Sequence, residues 1–138
     1  MKAVAVPVDI VLPIRAAVLR PGRPVDDARF VGDDVGVHWA LFDGDDVTAV
    51  LSLMPHPHPE HPDHPTQLRG MAASRPGAGA GAALLAAVQR HQSAPMWCNA
   101  RLRAVPFYER LGWVVVSDTF EIPGIGPHHR MTWRPEAE

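Results

Sequence analysis

Between His64 and Tyr108 the chain contains no aspartate or glutamate. The same stretch carries Arg69, Arg75, Arg90, Arg101 and Arg103, while the residues before it hold ten acids against five bases. A basic segment in a chain of net charge −2 points to a local anion site and away from a general nucleic-acid surface. Cysteine is scarce as well. Cys98 stands alone, which excludes an intramolecular disulfide and fits a reducing, cytoplasmic setting. It lies in the apolar run Met96-Trp97-Cys98 and reads as a small buried residue, not a nucleophile. No run approaches the roughly 20 apolar residues of a membrane span. Pro7, Asp9 and Pro13 interrupt the apolar start, which argues against a secretory signal. Lysine and tyrosine occur once each, as Lys2 and Tyr108.

What is present suffices for one globular domain over residues 1–138, with 46% of residues apolar. Residues 66 to 88 organise it. Gln67 to Ala73 reads as a strand, Gly77, Gly79 and Gly81 alternate through a loop, and Leu84, Leu85 and Val88 then fall on one side of an alanine-rich helix. A strand, a glycine loop and a helix start hold phosphate well. The first helical N–H groups lack partners within the helix, the dipole adds positive charge, and glycines let an anion approach the backbone.

Elsewhere, Lys2 to Val8 alternates as a strand. Asp9 to Arg20 reads as a helix with Asp9 as its cap and Pro13 near its first turn, stopped by Pro21-Gly22. His38 to Phe42 and Val47 to Met54 form a hairpin about Asp43-Gly44-Asp45, the second strand being central. Residues 55 to 65, with four histidines among prolines, read as an exposed extended loop whose spacing splays the side chains instead of converging them on a metal. Pro95 to Asn99 is a buried strand and Arg101 to Leu111 a helix with Pro106 in its first turn, stopped by Gly112. Trp113 to Ile122 and His129 to Trp133 are strands, followed by a polar tail. The order gives an α/β or α+β domain with a mixed sheet.

Four segments resemble the GNAT superfamily of acyl-CoA-dependent N-acyltransferases. They are Gln67-Leu68-Arg69-Gly70-Met71-Ala72, the glycine loop into Ala83-Leu84-Leu85, Met96-Trp97-Cys98-Asn99-Ala100-Arg101, and Ala104 to Trp113 with Phe107-Tyr108-Glu109-Arg110-Leu111-Gly112. The stretch Glu121-Ile122-Pro123-Gly124-Ile125-Gly126-Pro127-His128 is similar to one bacterial subgroup of unassigned substrate. The resemblance implies a mostly antiparallel, splayed sheet flanked by helices, with acetyl-CoA as co-substrate and no metal. It also implies backbone groups at Met71, Ala72 and Ala73 on the pantetheine, and the amides of Gly77, Ala78, Gly79, Ala80, Gly81 and Ala82 on the pyrophosphate. Asn99 is implied as a further cofactor contact, and Tyr108 as the acid that protonates the departing thiolate. The family loop reads Gln/Arg-x-x-Gly-x-Gly/Ala. Here Pro76 takes its first position and Arg75 stands one residue early.

Alternatives remain at several positions. Tyr108 also reads as a core aromatic, although Phe107 beside it is the more natural core residue, and Asn99 as a residue bonding the next turn. His128 or His129 is an open choice of base. The acidic Asp33 and Asp34 read as a solvated surface or as an attraction for a cationic amine. Gly77-x-Gly79-x-x-Ala82 satisfies a loose dinucleotide fingerprint, but no acid follows until Glu109, and a P-loop lacks its Gly-Lys-Ser/Thr. The expected activity is acyl transfer to the amine of a small molecule, amino acid or peptide, with a homodimer left open and no nucleic acid or membrane partner. A non-catalytic acyl-CoA sensor on the same fold is the competing reading.

Overall fold

A computed structural model describes residues 1–136. The polar tail expected after Trp133 runs on into residues 137 and 138, outside the described residues. The strands are β1 (Lys2–Val6), β2 (Val37–Asp43), β3 (Asp46–Met54), β4 (Thr66–Ala73), β5 (Met96–Arg101), β6 (Val114–Val115), β7 (Phe120–Ile122) and β8 (Gly126–Trp133). The helices are α1 (Val8–Leu19), α2 (Ala80–Arg90) and α3 (Val105–Glu109). The strands form one mostly antiparallel sheet flanked by helices, in the order β1-β2-β3-β4-β5-β8-β6 with β7 on β8. The chain gathers into two compact units, Met1–Pro55 with Leu68–His91, and His56–Gln67 with the residues from Gln92 onward.

In the first unit β1 pairs β2 from Lys2↔Phe42 to Val6↔His38, and β2 pairs β3 from Val37↔Leu53 to Asp43↔Asp46. Gly44 turns that hairpin at φ +61°. Ala49 to Met54 are all buried, as expected of a central strand. The core joins Val11, Ala40, Val50 and Ala72, with Leu12, Ala16 and Ala28 beside it. α2 buries Leu84, Leu85 and Val88, each stabilising by about 1.5–3 kcal/mol.

Helix α1 starts one residue early, with Pro7 at the cap and no side-chain cap bond, while Asp9 lies exposed in the first turn. Proline before the helix suits the extended backbone there, so Asp9 is not needed as a cap. Pro13 is the sixth residue of α1, past the first turn. Its missing N–H removes one i→i−4 donor, on an exposed face of the helix.

In the second unit β5 pairs β8 from Met96↔Trp133 to Arg101↔His128. The parallel ladder of β4 on β5 is recorded at Thr66↔Met96 and Gln67↔Trp97. The helix expected over 101–111 is shorter. Arg101 stays in β5, Leu102–Ala104 is a 3-10 turn, and α3 begins with Pro106 in its first turn. The strand expected over 113–122 is divided into β6 and β7, because the Ser117 hydroxyl takes the Arg130 N–H and the chain bends away at Ser117–Thr119.

Candidate active site

In the first unit Gly77 and Gly79 lie in the loop as expected, but Gly81 belongs to α2, which begins at Ala80. Gly77 and Gly79 adopt φ +78° and +84°, which glycine alone takes without strain. Gly79 caps α2 with no side-chain hydrogen bond, and its carbonyl accepts the Ala83 N–H at 3.0 Å. A Cβ at Gly77 or Gly79 would meet nothing within 4 Å, so both glycines border open space. Arg75, Pro76, Gly77, Ala78 and Gly79 are exposed, while Ala80 and Gly81 are buried and Ala82 is half-buried. The turn thus offers backbone N–H groups and a helix dipole to an anion, with Arg75 exposed at its entry. On β4 the Ala72 side chain sits in the core, so only its main chain is available to a ligand. Met71 and Ala73 are half-buried.

The acidic residues before the hairpin are not one solvated surface. Asp33 is paired with Arg15, whose Nη1 donates to Oδ2 at 2.8 Å and Nη2 to Oδ1 at 3.1 Å. Arg15 is fully buried, and it also donates to the Ala28 carbonyl and to Ser52 Oγ at 2.8 Å. Ser52 in turn lies 2.6 Å from His38 Nδ1, and His38 Nε2 is 2.9 Å from the Asp33 carbonyl. A carbonyl only accepts, so His38 Nε2 carries the proton and Nδ1 accepts from the Ser52 hydroxyl. Burial pushes the Asp33 carboxyl up, but the bonds from Arg15 and the Phe30 N–H outweigh it and hold the acid below its usual range. Asp33 is therefore spent on Arg15 and is not free to attract an amine. Asp34, like Asp26 and Asp27, is exposed. One signal of this network was readable beforehand, an arginine among the apolar residues of the first helix.

In the second unit Tyr108 is buried at 7% exposure, whereas Phe107 is only half-buried. This reverses the expectation that Phe107 is the core residue of the pair. α3 turns Tyr108 onto Trp113, ring centroids 5.4 Å apart. Burial, and then the nearby Cys98, push its phenol well above the ordinary value, so it holds its proton at neutral pH. Cys98 is buried and free, and burial raises its thiol too, in keeping with a packing role.

Asn99 does not bond the turn that follows β5. It faces Arg130 across the β5–β8 ladder, and its Oδ1 accepts from Arg130 Nε at 3.4 Å. His128 and His129 lie in β8, not in an exposed loop. His128 is buried with Nδ1 2.7 Å from the Gly126 carbonyl, and His129 Nδ1 is 3.0 Å from the Ser117 carbonyl. Both are held by main-chain acceptors, which leaves neither Nδ1 as a base.

The proline–histidine loop is not simply solvated. His58 and His64 are buried, and Trp97 Nε1 donates to the His56 carbonyl at 2.8 Å. The loop folds back on itself because the His58 N–H donates to the His64 carbonyl. His58 Nδ1 accepts the N–H groups of Glu60 and His61, so its proton sits on Nε2 and leaves no lone pair there for a metal. Among the described residues no three His, Cys, Asp or Glu side chains are arranged to hold a metal ion. Nor is any described helix long and apolar enough to cross a membrane.

Comparison with known proteins bears on these features. The profile of the acetyltransferase (GNAT) domain matches residues 72–135. The uncharacterized N-acetyltransferase YitI of Bacillus subtilis (strain 168) is 30% identical over 125 residues, 83% of each chain. Among solved structures, a putative N-acetyltransferase from Lactobacillus plantarum superposes with a TM-score of 0.79 at 22% identity, covering 98% of both chains. An aminoglycoside 6'-N-acetyltransferase complexed with coenzyme A gives 0.74 at 12% identity, covering 100% of this chain and 99% of the other. Sequence identity over most of the chain, a matching domain and a shared fold place this protein in the GNAT family, as an acetyltransferase that draws its acyl group from coenzyme A.

Proposed function

We propose that residues 1–138 act as one N-acetyltransferase domain on the amine of a small molecule, amino acid or peptide. The observation that carries this reading is the uncapped start of α2 behind the left-handed glycines Gly77 and Gly79, within the stretch matched by the GNAT domain. In this reading the amides of Gly77 to Ala82 take the pyrophosphate of acetyl-CoA, with Arg75 at the rim. Main-chain groups of Met71, Ala72 and Ala73 take the pantetheine amides. Asn99, tied to Arg130, is an indirect contact at most, acting by fixing that arginine.

The reaction is direct. The neutral amine attacks the thioester carbonyl, the C–N bond forms, the C–S bond breaks, and the amine loses its proton to solvent. The leaving thiolate takes the hydroxyl proton of Tyr108, which solvent restores. Burial keeps that phenol protonated until the thiolate departs. A reducing, cytoplasmic setting suits both a thioester co-substrate and a single free cysteine. Titration calorimetry with CoA and acetyl-CoA, followed by a thiol-release screen over an amine library, tests the reading. Absence of CoA binding at millimolar concentration refutes it.

A further inference from the structure

Strand β4 carries a guanidinium that has no counter-ion among the described residues. Arg69 is half-buried, with its Cζ 4.2 Å from the centroid of the Phe30 ring. The same ring carries Arg15 at 3.9 Å. Arg15 has its carboxylate, since Asp33 meets it with both oxygens. Asp33 is also the carboxylate whose charge reaches Arg69, and it is already committed to Arg15 and to the Phe30 N–H. Among the described residues no carboxylate lies within 4.0 Å of Arg69, and no protein group accepts from its N–H groups. Burial, and then Arg15, oppose its charge, and Arg20 adds to that, so three guanidiniums share one acid. An arginine fork that is partly desolvated and unpaired is matched to a planar oxyanion.

The local backbone is built around this group. Gly70 follows Arg69 with φ +66°, and a Cβ there would lie 3.1 Å from both Arg15 Nε and Phe30 Cε2. Only glycine lets β4 come this close to the Phe30 ring and its two arginines. Arg69 lies two residues before Met71 on β4, with the left-handed Gly70 between them. An anion on Arg69 therefore sits beside the main chain assigned above to the pantetheine.

We infer that Arg69 is the specificity-determining residue for the acceptor and binds a carboxylate on it, so that amino acids and peptides with a carboxylate near the amine are the substrate class. The inference rests on the acyl-transfer reading. Polycationic amines are disfavoured by the same three guanidiniums. The other source of a matching oxyanion is a phosphate of CoA itself, and the test separates the two.

Thiol release is measured with acetyl-CoA and L-amino acids, each paired with its C-terminal amide. Acids are expected to exceed amides by at least about tenfold in kcat/KM. Arg69→Gln is expected to abolish that ratio and Arg69→Lys to restore part of it, with acetyl-CoA affinity retained. In parallel, acetylglycine and its amide are titrated into the protein with and without CoA, which reads the site without turnover. Preference for the acid, lost in Arg69→Gln, is the supporting result, and melting temperatures confirm that both variants fold. Equal handling of acid and amide, no binding of either, or an Arg69→Gln variant that weakens CoA instead, each overturns the proposal. Failure of CoA itself to bind refutes acyl transfer separately, and the titration on the free protein still decides Arg69.

Discussion

Replacing Tyr108 by phenylalanine removes one hydroxyl and keeps the ring that packs on Trp113. If the hydroxyl protonates the thiolate, kcat falls by roughly 10²–10⁴ while CoA affinity and melting temperature hold. A kcat near that of wild type on the best acceptor found would reduce Tyr108 to a core aromatic. Gly70→Ala reads a different quantity. The new Cβ meets Arg15 and Phe30 at 3.1 Å from a left-handed backbone, and a loss of about 1–3 kcal/mol is expected in urea unfolding. The residue types in the Gln67–Ala72 segment were readable in the sequence, but the need for glycine was not. That need arises from Arg15 and Phe30, which are 55 and 40 positions away.

At the scale of elements, the start of α2 and the buried face of α1 fail in different ways. Gly79→Ala puts a methyl group into open space at φ +84°, so its stability cost is near the 1 kcal/mol of a left-handed alanine. Its effect on CoA is expected to be larger, at least about tenfold in Kd by calorimetry, because the β-carbon stands where the phosphate approaches. Equal affinity for CoA in the variant would remove the loop from the site. On α1, Asp33→Asn leaves Arg15 buried without its counter-ion and is expected to cost about 3–5 kcal/mol. The apolar face of α2 was legible because burial follows Leu84, Leu85 and Val88. The length of α3 was not, since Arg101 keeps its place in the β5 ladder opposite His128 and the helix begins only after it.

Across the whole molecule, stability is expected to fall with acid in two stages. Burial, then Arg130 and His61, hold His58 below the ordinary imidazole range. The unfolded chain therefore binds its proton first, so the stability carried by a neutral His58 is complete above about pH 6.5 and is lost as pH falls below it. Asp33 and Asp63 are held below the carboxylate range, so their contribution is complete above about pH 4 and is lost below. Urea midpoints measured from pH 7.5 to 5 check the first stage. A His58→Asn variant should flatten that limb, and an unchanged slope would contradict the assignment.

The amino-acid order alone determined the α/β class, the hairpin about Gly44, the strand–glycine loop–helix unit and the family, because each depends on local periodicity or on contiguous motifs. It did not reveal which polar groups would be buried. Asp33 reads as surface until Arg15 and Ser52 are brought to it, and His58 and His64 read as solvated until the loop folds back and covers them. Tyr108 and Phe107 are adjacent and equally apolar in pattern, and only the packing of α3 on Trp113 decides which one is enclosed. Burial of a polar side chain is set by partners distant in sequence, through hydrogen bonds and desolvation that no local window contains.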